Sequence, residues 1–206
     1  MVTAIKIADH AIGIKHPCFI IAEAGVNHNG SVRLACRLVD AAAKAGADAV
    51  KFQTFKAENL VTRDAPQAEY QKCNTGKTES QYDMLKRLEL NAETHRKIVS
   101  YCLKRKIIFL STPFDEESAD LLETLKVPAF KIGSGELTNL PFLNHVARKG
   151  KPMIISTGMA NTAEVKKAIH TVRQTGNQRI VLLHCVSSYP ADAKWANLRA
   201  IHTMHK

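Results

Sequence analysis

Six short apolar runs, each ending in small or polar residues, set the rhythm of this chain. The polar strand ends fall at Glu23, Lys51, Ser111, Lys131, Ser156 and His184. Apart from an insertion over residues 54–80, they recur about every 20 to 28 residues. That interval fits one strand, one helix and the next strand, and such alternation builds a parallel sheet. A sheet covered on both faces needs continuously apolar strands. Cys18–Ala22, Ala49–Phe52, Ile107–Leu110, Met153–Ile155 and Ile180–Leu183 have that character, and Ala129–Glu136 starts with it. Nearly every predicted strand end carries polar groups, rather than those at one switch point alone. This favours an α/β fold of the closed (β/α)8 TIM-barrel type over a doubly wound sheet. Six β/α units can be counted, whereas such a barrel takes eight and about 250 residues. Residues 1–206 are therefore expected to be the N-terminal part of a single barrel domain, truncated after about six units. Ala4–Ile7 and Ala11–Ile14, around Ala8-Asp9-His10, predict a small N-terminal hairpin.

The helices carry readable ends. Ser31 is a plausible N-cap, with Leu34, Ala35, Leu38, Val39, Ala42 and Ala45 at helical spacing and Gly46 as the stop. Asn91 is placed to cap a helix with Glu93 in its first turn, and Asp115 to cap Glu116–Leu125, with Ala119, Leu122 and Leu125 inward. Asn139 or Leu140 starts a helix that ends near Lys149-Gly150, and Asn161 with Glu164 predicts a capping pair. Tyr82–Leu90 and Leu198–His205 read as further helices. The polar, turn-rich stretch from Thr62 to Ser80 breaks the rhythm, and loops of that length are commonly functional. It is read as a lid over the strand ends.

Composition narrows the classes of function. No apolar run approaches the ~18 residues of a membrane span, and the N-terminus has no signal-peptide pattern. Five cysteines, at 18, 36, 73, 102 and 185, form no Cys-x-x-Cys pair. This argues against a disulfide framework or structural zinc and for a reducing, cytoplasmic setting. Cys18, Cys36, Cys102 and Cys185 lie among apolar residues and are expected in the core. The net charge of +10 raises nucleic-acid binding, but the basic residues are spread over helices and no stacking aromatics accompany them. A solvated basic face, or a general attraction of small anionic substrates, suits the charge better. No Gly-x-Gly-x-x-Gly or Walker-type loop is present, so nucleotide phosphate loops are not supported.

Placed side by side, the strand ends gather Glu23, Lys51, Gln53, Ser111, Thr112, Lys131, Ser134, Glu136, Ser156, Thr157, His184 and Tyr189. Two lysines among hydroxyls and glycine-flanked amides suit a small phosphate or carboxylate. Two carboxylates remain for proton transfer or for sugar hydroxyls. Other readings stay open from the residues alone. A strand-end lysine could be a Schiff-base nucleophile. Ser111, Ser156 and Thr157 could cap helices, and His184 could be a core histidine. His28 could lie at the surface or in the site.

The ordered motifs Phe19–Gly30 (FIIAEAGVNHNG), Val50–Thr54 (VKFQT), Ser111–Asp115 (STPFD), Phe130–Glu136 (FKIGSGE), Ser156–Met159 (STGM) and Leu183–Pro190 (LHCVSSYP) resemble those of the sialic acid (N-acetylneuraminate) synthases. That family includes legionaminic, pseudaminic and spore-coat-polysaccharide relatives. The resemblance implies a transferase that condenses phosphoenolpyruvate with an N-acetylated hexosamine. C3 of phosphoenolpyruvate attacks the open-chain aldehyde, water attacks C2, and the C–O bond to phosphate breaks. It implies Glu23, Lys51, Lys131 and Glu136 as catalytic residues. It implies substrate contacts from Gln53, Thr112, Ser134, Ser156, His184, Ser187 and Tyr189. Lys51, Thr112, Lys131, Ser134 and Ser156 would face phosphoenolpyruvate, and Gln53, Glu136 and Tyr189 the sugar. Ser187 stands where some members have asparagine. A divalent manganese or magnesium ion and a homodimer are implied for the full-length enzyme. The family's metal-binding histidines and its antifreeze-like domain belong to motifs expected beyond Lys206. These 206 residues by themselves are therefore expected to give negligible turnover.

Overall fold

The computed structural model describes residues 4–66, 79–188 and 190–205. It is an α/β fold of parallel strands with helices between them. Two compact units are present: one is Ile20–Leu125, and the other joins the segment through Phe19 to the chain from Lys126 onward.

In the first unit, β3 (Ile21–Gly25), β4 (Ala49–Thr54) and β5 (Ile108–Pro113) form a parallel sheet in that order. The helices are α1 (Val32–Lys44), α2 (Ala57–Leu60), α3 (Gln81–Leu88), α4 (Ala92–Lys104) and α5 (Glu116–Thr124). The starts of α1, α4 and α5 follow the predicted caps, whereas α3 is capped by Ser80, which was not predicted, and α2 has no side-chain cap. Ser31 accepts from the Leu34 N–H, Asn91 from Thr94 and Asp115 from Ser118. Gly46 follows α1 at φ +78°, the left-handed stop that glycine tolerates. Leu125 proves to be the C-cap of α5, and Ser118 joins Ala119 and Leu122 on the buried face.

The second unit holds the predicted hairpin, β1 (Ile5–Ile7) against β2 (His10–Ile12), and a second parallel sheet. The sheet runs β6 (Phe130–Ile132), β7 (Met153–Ser156), β8 (Ile180–Leu183). Its helices are α6 (Leu140–Arg148), α7 (Thr162–Gln174) and the terminal α8 (Ala200–His205). Asn161 and Glu164 complete a reciprocal capping box at the start of α7. All four residues of the central strand β7 are buried, as expected of a strand covered by helices, and so are all three of β6 at one margin of the sheet. β8, the outer strand, is half-buried throughout.

Three expectations change. The apolar run Cys18–Ala22 enters its strand only at Ile21, so Cys18 and Ile20 precede the strand, and both are exposed. Of the cysteines expected in the core only Cys102 is buried, with its thiol pushed up to about 12 by burial; Cys36 and Cys185 are half-buried. The opening of the 54–80 insertion is not all loop, since β4 runs on to Thr54 and α2 follows. The insertion's base is closed by a bridge between Pro66 and Ser80. The central part of the predicted lid, 67–78, lies outside the described residues.

Candidate active site

Successive side chains on a strand point to opposite faces. On β4 this sends Lys51 and Gln53 one way and Val50, Phe52 and Thr54 the other. The ladder aligns Glu23 with Lys51 and Gln53 with Thr112. Four predicted residues of the first unit are thereby brought together. Lys51 Nζ lies 2.5 Å from Glu23 Oε2 and donates to Thr112 Oγ1 at 3.5 Å. The Lys51 side chain is largely covered, whereas that of Glu23 is half-exposed. A bulge after Glu23 turns the chain, and Gly25 sits there at φ +52°. A Cβ on Gly25 would lie 3.2 Å from Glu23 Oε1 and 3.9 Å from Gln53 Nε2, so the glycine keeps this corner open.

The opposite face of the same strands carries a buried polar chain. Thr54 Oγ1 lies 2.9 Å from His95 Nε2 and 2.7 Å from Ser111 Oγ, and His95 Nδ1 lies 3.0 Å from the Asn91 carbonyl. A carbonyl only accepts, so His95 Nδ1 carries the proton. Burial holds the imidazole below its ordinary pKa and keeps it neutral. Nε2 therefore accepts from Thr54, and Thr54 accepts from Ser111. His28 is also fully buried. Its Nδ1 accepts from the Gly30 N–H at 3.0 Å, which leaves the proton on Nε2, and Nε2 has no partner. Burial, aided by His95, lowers its pKa to about 4. Neither histidine was singled out by sequence reasoning as a network member. For His95 the spacing 95, 98, 102 on α4, shared with Ile98 and Cys102, was the signal. His28, in a polar loop, has no such local signal.

In the second unit Lys131 occupies the middle of β6 with 7% of its surface exposed. Its Nζ donates to Ser156 Oγ at 2.6 Å and to the Ile132 carbonyl at 2.7 Å. Cys185 Sγ reaches the same Ser156 oxygen at 3.4 Å. The expected strand through Glu136 stops at Ile132, because Ser134–Glu136 turns into a single 3-10 turn. Ser134 is thereby set beside the strand end, and the Glu136 carboxylate accepts from Asn139 Nδ2 at 2.8 Å. His184 Nε2 donates to the Ala196 carbonyl at 2.6 Å, so this histidine latches the segment after β8. It also lines a cavity of about 820 Å³ with Thr157, Cys185, Arg173 and Arg199. Ser187 is exposed, and Tyr189 lies outside the described residues.

The hydroxyls left open as helix caps have other uses. Ser111 bonds Thr54, Ser156 receives Lys131, and Thr157 Oγ1 donates to the Leu183 carbonyl at 2.9 Å. The molecule thus presents two clusters, Glu23–Lys51–Gln53–Thr112 and Lys131–Ser134–Ser156, each built around a lysine that donates to hydroxyl oxygen. Such groups hold oxyanions and stabilise charge that develops on them. Among the described residues, no three His, Cys, Asp or Glu side chains converge as a metal site would require. No helix among them is long and apolar enough to cross a membrane.

Comparison with known proteins places these clusters in context. The chain is 52% identical over 196 residues to the N,N'-diacetyllegionaminic acid synthase of Legionella pneumophila, covering 93% of this chain and 55% of that protein. It is 44% identical to the spore coat polysaccharide biosynthesis protein SpsE of Bacillus subtilis, covering 96% and 52% respectively. Among solved structures, the N-acetylneuraminic acid synthetase of Leptospira borgpetersenii, crystallised with citrate, superposes with a TM-score of 0.85 at 33% identity, over 98% of this chain and 65% of that one. The chain spans about half the length of the curated relatives it matches. The sequence profile of the NeuB family matches residues 38–206. With that match, and with relatives of this identity, the chain belongs to the NeuB family.

Proposed function

We propose that this chain forms part of an enzyme that condenses phosphoenolpyruvate with an N-acetylated hexosamine, N-acetylmannosamine or a relative, giving a nine-carbon 2-keto sugar acid and phosphate. The observation that carries the reading is Lys131: a buried lysine whose Nζ is already oriented by Ser156 and a backbone carbonyl. A cation placed in this way is a preorganised partner for a phosphate or carboxylate. That a related synthetase was crystallised with citrate, a carboxylate anion, agrees with such a site. Residues 1–206 are read as the N-terminal portion of one (β/α)8 barrel domain, and a homodimer is part of the same proposal.

In this mechanism C3 of phosphoenolpyruvate forms a bond to the aldehyde carbon of the open-chain sugar, and the aldehyde oxygen takes a proton. Water adds to C2. The C2–O bond to phosphate then breaks, its electron pair leaving with the phosphate, and C2 becomes the ketone. Lys131, with Ser134 and Ser156, holds the anion through these steps. Lys51, which pairs with Glu23 and donates to Thr112, is read as a second cationic group, and Glu23 is assigned the proton transfer by resemblance to the family. Glu136, which accepts from Asn139, is assigned to the sugar by resemblance to the family, as are Gln53, Ser187 and Tyr189. A resident manganese or magnesium ion would polarise the aldehyde; the described residues do not fit one, and no step above runs through it.

The test is phosphate release by the full-length protein, from phosphoenolpyruvate labelled with oxygen-18 in the bridging position, across a panel of N-acetylated hexosamines. Sugar-dependent release of phosphate that retains the label is expected. Unlabelled phosphate, or no sugar dependence, overturns the reading.

A further inference from the structure

Gly158, in the turn after β7, does not have the left-handed backbone of Gly25, so an alanine there meets no conformational barrier. Space is the obstacle. A Cβ on Gly158 would lie 2.5 Å from Ser187 Oγ and 2.8 Å from Ser134 Oγ, with Ser134 Cβ at 3.4 Å. Two hydroxyls from different strand ends, one after β6 and one after β8, thus pack onto a single bare Cα. Neither has a hydrogen-bond partner among the described residues. The backbone beneath them is fixed. The Thr157 N–H and Oγ1 both donate to the Leu183 carbonyl, at 3.1 and 2.9 Å, which pins the residue before Gly158 to the end of β8. The glycine cannot back away, so the hydroxyls must move if a side chain is added.

We propose that Gly158 is a specificity-determining position, whose missing side chain lets Ser134 and Ser187 form a two-hydroxyl clamp on the bound substrates. The identity of the ligands rests on the proposed function, in which Ser134 faces phosphoenolpyruvate and Ser187 faces the amino sugar. Gly158 then sits where the two subsites meet. A serine hydroxyl is the far end of a short side chain and turns about one bond. Gly158→Ala therefore rotates both hydroxyls out of the clamp without disrupting the fold.

The experiment compares Gly158→Ala in the unsubstituted protein and in the double variant Ser134→Ala/Ser187→Ala. It reads phosphoenolpyruvate affinity by calorimetry, KM for the amino sugar in the full-length protein, and the melting temperature. Gly158→Ala alone is expected to weaken phosphoenolpyruvate binding by about tenfold, the value of one ordinary hydrogen bond, and to raise the sugar KM similarly. The melting temperature shifts by only a few degrees. With both hydroxyls already removed, adding Gly158→Ala changes these constants less than about twofold, the non-additivity expected of groups in contact. Equal losses in the two backgrounds overturn the clamp, as does an unchanged affinity in the single variant. No phosphoenolpyruvate binding by the unsubstituted protein overturns the ligand assignment together with the proposed reaction. The packing then remains tested by melting temperature, since a clash with the hydroxyls lowers it only in the background that retains them.

Discussion

Lys131→Met removes the Nζ while keeping an unbranched stem of similar length, so it isolates the charge. Lys131 is already 93% covered before any ligand arrives, since its exposure is 7%, and its desolvation is met during folding. Binding a phosphate therefore gains most of the attraction. Unit charges ~4 Å apart at an effective dielectric constant of ~20 attract by about 4 kcal/mol. Loss of the charged hydrogen bond alone costs about 1.5–3 kcal/mol. The two figures describe one contact and are not summed. A net loss of about 3–4 kcal/mol corresponds to an affinity for phosphoenolpyruvate lower by roughly 10² to 10³-fold. In the folded protein the same substitution leaves Ser156 Oγ and the Ile132 carbonyl without this donor but also removes a buried charge, so the melting temperature moves by only a few degrees. Calorimetric titration with phosphoenolpyruvate reads the effect. A dissociation constant within threefold of the unsubstituted value would refute Lys131 as the anion partner.

The buried histidines predict an acid limb of stability. As pH falls through 6.5 an unfolded His28 takes a proton, whereas the folded residue resists until about pH 4, so the unfolded state binds more protons and stability declines across that window. The full effect is about 3 kcal/mol, with a contribution of the same sign from His95. The urea midpoint should be lower at pH 5 than at pH 7.5, and His28→Gln should narrow the difference; equal midpoints would contradict the burial argument. Thr54→Val leaves Ser111 without its acceptor and His95 Nε2 without its donor, for a loss of about 1–3 kcal/mol, whereas Thr54→Ser keeps both bonds. Equal urea unfolding energies for the two variants would rule out the hydroxyl relay.

What could be read from the sequence is what local chemistry decides. Ser31, Asn91, Asp115 and Asn161 each meet a backbone N–H within three residues, and those helix starts fall where expected. The lysine clusters were legible because strand periodicity fixes which face Lys51, Gln53 and Thr112 share. Features made by distant pairing were not. Thr54, His95 and Ser111 join across 41 and 57 residues, and no residue in that chain announces the others. The turn at Ser134–Glu136 escaped because an apolar strand followed by glycines is equally compatible with extended backbone. Cys18 illustrates the limit of hydropathy, since an apolar run does not say where within it the strand begins.

The composition of the two units bears on how the chain acquires its structure during synthesis. Ile20–Leu125 is contiguous, so every contact within it becomes available once Leu125 has left the ribosome. The N-terminal hairpin belongs instead with the strands that begin at Phe130, more than a hundred residues later. The segment made first thus finds its neighbours last, after a long loop has closed, and such closure slows folding. Until then a short two-stranded hairpin, marginal by itself in water, waits without a core. Holding that segment back, or engaging it with a chaperone, would delay the lysine cluster of β6 while leaving that of β4 free to form.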